Sequence, residues 1–145
     1  MPTGLSSETI HASCVAIDGR GVLIEGRSGA GKSDLTLRLI DRGAALVSDD
    51  YTTLRQESGA LIARAPDALA GKIEVRGIGI LDLPHVSDIP VALLVAIADQ
   101  PPRMPERGQR RRVAGVDLPA VALAALEPSA SIKVELALAN LEVVG

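Results

Sequence analysis

The chain has 145 residues, 47% apolar and 23% charged, enough for one buried sheet with covering helices and too few for two independent cores. Its formal charge of −3 excludes a general basic field for nucleic acid, so any polyanion site must be local. Tyr51 is the single aromatic and Cys14 the single cysteine, which excludes base-stacking platforms, an internal disulfide and a cysteine-rich zinc site.

Met1-Pro2-Thr3-Gly4 has neither a basic start nor an apolar stretch behind it, so no signal peptide is expected. The longest wholly apolar run, Val91 to Ala98, is far below the ~20 residues of a membrane helix, and a cytoplasmic protein with no membrane partner is expected. Residues 1–10 are short and polar and should be frayed. Cys14 to Ile17 and Val22 to Ile24, flanking Asp18-Gly19-Arg20-Gly21, predict a hairpin with Cys14 as a small buried filler. Leu35, Leu39 and Ile40 share one face of Ser33 to Arg42, and Gly43 follows as a stop signal, which predicts an amphipathic helix. Ala45 to Val47 reads as a short buried strand running into Ser48-Asp49-Asp50. Thr52 to Leu54 and Leu61 to Ala63 predict a second hairpin, and Ile73 to Leu83 a strand-like stretch broken at Gly77 and Gly79. Val91 to Ile97 is a continuous apolar strand candidate, and Lys133-Val134-Glu135-Leu136 alternates like a half-exposed strand. Between them, Arg103 to Arg112 holds five arginines and one glutamate, a local +4 read as an exposed loop. Arg110, Arg111 and Arg112 within it are candidates for docking an acidic partner or phosphates. Strands outnumber helices without strict alternation, so the expected class is α/β with a mixed sheet, in one domain over residues 1–145.

The chemistry concentrates in Gly26-Arg27-Ser28-Gly29-Ala30-Gly31-Lys32-Ser33, which satisfies G-x-x-x-x-G-K-[ST]. A strand delivers the chain, glycines let backbone N–H groups converge, and a helix starts at Ser33 with its unpaired N–H groups facing the loop. Lys32 can then reach β- and γ-phosphates and the Ser33 hydroxyl can ligate Mg²⁺. Asp49-Asp50 stands at the end of the next strand, where P-loop proteins keep a carboxylate for magnesium or the attacking group. Side-chain alternation along a strand would let only one of the two meet the γ-phosphate directly. The only D-x-x-G, Asp18 to Gly21, precedes the loop, and no N-K-x-D follows, so a GTPase is excluded.

His11 before the loop, the loop itself, Asp49-Asp50 and Ile73-Glu74-Val75-Arg76-Gly77-Ile78-Gly79-Ile80 form an ordered set of four motifs. The set resembles the catalytic domain of the bacterial HPr kinase/phosphorylase family, from about His11 to Asn140. That resemblance implies an ATP- and Mg²⁺-dependent serine kinase acting on HPr, the phosphocarrier of the sugar phosphotransferase system, with a P-loop fold similar to phosphoenolpyruvate carboxykinase. It implies that Lys32 holds nucleotide phosphates, that Ser33 and Glu74 ligate magnesium, and that Asp50 accepts the proton of the substrate serine. It also implies that His11 sits beside the Asp pair and that Arg76 shapes the catalytic loop. The chain resembles a short bacterial form without the family's N-terminal domain and with a shortened C-terminal helix, which leaves the family's hexamer an open expectation. The family's arginine-bearing P-G-R-N turn, which should precede a last core strand, corresponds to Glu127-Pro128-Ser129-Ala130-Ser131, so weak phosphorylase activity is expected. A regulatory nucleotide-binding module without transfer activity and a small-molecule P-loop kinase are the alternative readings.

Overall fold

The computed structural model describes residues 7–144. Its strands are β1 (Ser7–Ile10), β2 (Ser13–Ile17), β3 (Arg20–Glu25), β4 (Ala45–Ser48), β5 (Thr52–Glu57), β6 (Ala60–Arg64), β7 (Lys72–Val75), β8 (Gly79–Asp82), β9 (Ile89–Ile97), β10 (Arg110–Val113) and β11 (Val116–Leu123). The α-helices among the described residues are α1 (Lys32–Asp41), α2 (Ala130–Ala139) and the short α3 (Leu141–Val144). No helix among the described residues is long and apolar enough to cross a membrane.

The main sheet is mixed, in the order β1-β5-β6-β9-β3-β2-β4, with β11 also on β9 and β10 on β11. Its pivot is β9. The start of β9 (Ile89, Pro90) pairs antiparallel with β6, its body runs parallel to β3, and its end (Leu94–Ile97) runs parallel to β11. Because successive side chains point to opposite faces and both faces are covered, Cys14–Ile17 of β2, Val22–Ile24 of β3 and Val91–Ile97 of β9 are continuously apolar. Val22, Ile24, Leu93 and Val95 pack under the helices with Leu35, Leu39, Val134 and Leu138. Leu23 and Leu94 point the other way, into a second cluster with Leu54, Leu61 and Leu118, where the sheet curls over itself. Both clusters are aliphatic, as the composition requires.

Four expectations need correction. Residues 7–10 are not frayed: β1 pairs with β5 from Ser7↔Arg55 to Ile10↔Thr52, while residues 1–6 lie outside the described residues. The Lys133–Leu136 stretch is helical, because the buried residues Ala130, Ser131, Val134, Ala137 and Leu138 recur at the helical period and a four-residue window could not reveal it. Glu127 to Ser131 therefore leads into α2 rather than into a strand. Finally, the arginine run is a loop only up to Gln109; its last three arginines lie in β10, hydrogen-bonded to β11. Arg111 pairs with Glu25 and Arg112 with Asp117 at 3.1 Å, so part of that positive charge is neutralised within the fold.

Candidate active site

β3 ends at Glu25 and delivers the chain into residues 26–31, after which α1 begins at Lys32. Two glycines are sterically required here. A Cβ on Gly26 would stand 3.0 Å from the Ile97 side chain at the end of β9, and Gly31 caps α1 with φ 104°. The loop rim is tethered from outside by Arg27 to Asp99 at 3.2 Å and at its root by the Arg111–Glu25 pair. Lys32 is buried, and its ammonium folds back to donate to the carbonyls of Gly26 (2.9 Å) and Arg27 (3.4 Å). That posture holds the loop closed around a cradle of backbone amides and keeps the cation pointed at it.

β4 runs beside β2 and ends at Ser48, which sets Asp49 and Asp50 just past the sheet edge. Asp49 is buried and fully engaged. Its Oδ1 accepts from the Ser33 hydroxyl (2.8 Å) and the Ser13 hydroxyl (3.2 Å), and its Oδ2 accepts from the Glu74 backbone N–H (3.1 Å). It thereby ties the start of α1, strand β2 and the β7–β8 hairpin together. Asp50 has a left-handed backbone, φ 68°, which short polar residues tolerate. The strand alternation expected for the pair ends there, and both acids line one cleft. The half-exposed Asp50 carboxylate accepts from His11 Nε2 at 2.8 Å and lies 4.0 Å from the Lys32 ammonium. The His11 ring in turn stacks on Tyr51, centroids 5.0 Å apart.

The cleft has a volume of about 590 Å³ and is lined on one side by Ser28, Gly29, Gly31, Lys32 and Ser33. Asp49, Asp50, Glu74 and Arg76 close the other side. Glu74 and Arg76 are exposed at the end of β7. Of the other motif residues, Gly26 and Ala30 form the back of the loop, Arg27 points to Asp99, and His11 reaches the cleft only through Asp50. Sequence reasoning passed over Ser13, which is fully buried and also accepts from the Asp50 backbone N–H at 2.9 Å. A hydroxyl on an otherwise apolar strand, two residues after His11, was the available signal. Arg38, which ties α1 to the chain beyond β11, gave no signal at all.

The donor set suits magnesium. The Ser33 hydroxyl, the Asp49 carboxylate and the free-standing Glu74 carboxylate are hard oxygen ligands around one cleft. Among the described residues no three acidic, histidine or cysteine side chains converge into a closed cage. Such a sparse set matches an ion held by one or two carboxylates together with substrate phosphates.

The HPr Serine kinase C-terminal domain family matches residues 4–89. The HPr kinase/phosphorylase of Clostridium botulinum (strain Eklund 17B / Type B) is 46% identical over 80 residues, 54% of this chain and 26% of that protein. That of Peptoclostridium acidaminophilum is 46% identical over 81 residues, 55% of this chain and 26% of that protein. The chain thus aligns with about a quarter of the length of these relatives. A solved structure, the Hpr(Ser) kinase/phosphatase from Coxiella burnetii, superposes with a TM-score of 0.80 at 32% identity, covering 93% of this chain and 96% of that one. The matched region holds the loop, the Asp pair and the Glu74–Arg76 segment, and the same mixed sheet carries both folds: the chain belongs to the HPr serine kinase C-terminal domain family.

Proposed function

We propose that this chain transfers the γ-phosphoryl group of ATP to a serine hydroxyl of an HPr-like phosphocarrier and so regulates a phosphotransferase system. The observation that carries the reading is the Asp50 carboxylate, set between the Lys32 ammonium at 4.0 Å and His11 Nε2 at 2.8 Å on the cleft wall. In P-loop enzymes catalysis is mostly positioning and charge stabilisation, and those are the tasks these residues can perform. The amides of residues 26–33 and Lys32 bind the triphosphate, with Lys32 exchanging its carbonyl partners for phosphate oxygens. Asp50 accepts the serine proton as the hydroxyl oxygen attacks the γ-phosphorus and the bond to the β-phosphate oxygen breaks, releasing ADP. His11 orients the carboxylate from the far side. Ser33, Asp49 and Glu74 are the residues that would hold Mg²⁺, which when bound neutralises phosphate charge. The relatives named above as HPr kinases support the acceptor class.

Phosphorolysis of the phosphoserine by inorganic phosphate should be weak. The turn Glu127 to Ser131 carries no cation of its own, the nearby Arg38 guanidinium is committed to the carbonyls of Ala125 and Glu127, and the Lys133 ammonium is paired with Glu127 at 3.3 Å, so the cations around it already have partners other than a phosphate. Incubation with ATP, Mg²⁺ and HPr should add one acid-stable phosphoryl group, seen as a mass shift and lost in Lys32→Ala. Absence of that addition from protein that binds ATP would refute transfer and leave a regulatory nucleotide-binding module. Release of pyrophosphate from phospho-HPr and phosphate at rates near the forward reaction would refute the weak phosphorylase activity.

A further inference from the structure

The cleft described above has an end that neither the phosphate loop nor the acids explain. If the terminal phosphoryl group faces Asp50 and the amides of residues 26–33 hold the phosphates, the nucleoside must leave the loop past Gly31 and the first turn of α1. There the walls turn apolar. Leu37, one turn beyond Ser33, and Leu126 line this part of the cleft. Leu126 is 77% exposed, and its Cδ2 lies 3.4 Å from where a Cβ on Gly31 would stand.

Scattered exposed leucines need no explanation. This one is held in place. The Arg38 guanidinium, anchored to Asp34 at 3.0 Å, donates to the carbonyls on either side of it, Ala125 and Glu127, the latter at 3.0 Å. The clamp pins residues 125–127 to α1 and presents the Leu126 side chain over the loop with its apolar surface open to the cleft. The single aromatic, Tyr51, is committed to His11 at the opposite end, so a base cannot stack there while its γ-phosphate meets Asp50. We propose that Leu126, positioned by Arg38 and continued by Leu37, is the aliphatic shelf against which the purine base of the nucleotide lies. The inference rests on the nucleotide reading above and specifies where that nucleotide's base is held.

The test separates base from phosphates. Mg²⁺-ATP and Mg²⁺-tripolyphosphate are titrated calorimetrically into the full chain and into Leu126→Ala, a substitution at an exposed position that leaves the core intact. The expected result is an ATP dissociation constant raised about tenfold, the size of one lost aliphatic contact, with tripolyphosphate binding unchanged. Unchanged ATP affinity in the variant overturns the shelf while leaving the phosphate site standing. Equal weakening of both ligands also overturns it, since Leu126 would then act through the loop. Wild-type protein that binds neither ligand would sink the nucleotide reading itself and the shelf with it.

Discussion

Ser13→Ala isolates the hydroxyl that joins the two acids. In the fold that oxygen is fully buried, donates to Asp49 Oδ1 at 3.2 Å and accepts from the Asp50 backbone N–H at 2.9 Å. Its removal leaves almost no cavity, so the loss is polar. The bond to the carboxylate is long, and Asp49 keeps Ser33 at 2.8 Å and the Glu74 N–H at 3.1 Å, which places its loss at the low end of charged hydrogen bonds. The Asp50 N–H loses a protein partner outright. Together these amount to about 2 kcal/mol. For a domain of this length that corresponds to a fall in Tm of about 6 °C. Without the anchor at its backbone, Asp50 should also lose its fixed place beside Lys32, so kcat for HPr phosphorylation should fall about tenfold while KM for ATP holds. Thermal unfolding and steady-state kinetics on the same preparation read both effects. A Tm within a degree of wild type together with an unaltered kcat would refute the reasoning.

Asp50→Asn keeps shape and removes the proton acceptor; transfer should slow about 10²- to 10⁴-fold in single-turnover assays with calorimetric ATP affinity nearly unchanged. Gly31→Ala forces a Cβ into a φ of 104° and to 3.2 Å from Ala125 Cβ, so urea unfolding should show a loss of about 1–2 kcal/mol, and an unshifted midpoint would contradict the packing described. Burial pushes the Cys14 thiol up from 9.0 to about 12. Across that window the unfolded chain has released the proton and the folded chain retains it, so stability falls as pH rises, by about 1.4 kcal/mol per pH unit. Cys14→Ala should lack that slope, so the wild type should lose stability relative to the variant by that amount per pH unit above pH 9, and native Cys14 should resist alkylation at pH 8.

The strand–loop–helix around residues 22–42 was legible because its signals are local: glycine spacing, a lysine at a set distance and a helical period with a stop. The β5–β6 hairpin was legible for the same reason. β11 was not, because Pro119 interrupts it; the proline sits opposite Arg110, just before parallel pairing with β9 begins at Ala120↔Leu94. β1 was hidden because a short polar edge strand is defined by its partner β5, some 45 residues away, and not by its own pattern. At the site, the motif residues were readable as a set. Their linkage through Ser13 was not, since the register of β2 against β4 that brings Ser13 to Asp49 is a tertiary fact. The Arg38 clamp is of the same kind, a contact across 87 residues of chain.

A chain with no tryptophan and one tyrosine emits near-ultraviolet fluorescence from a single point. That point, Tyr51, lies face to face with His11, whose other contact is the Asp50 carboxylate. The emission of a phenol responds to what its ring touches, so any movement of His11 against Tyr51 is written into the emission intensity. The rest of the molecule is dark, so the arrival of a ligand at this corner of the cleft can be followed in stopped flow without a label.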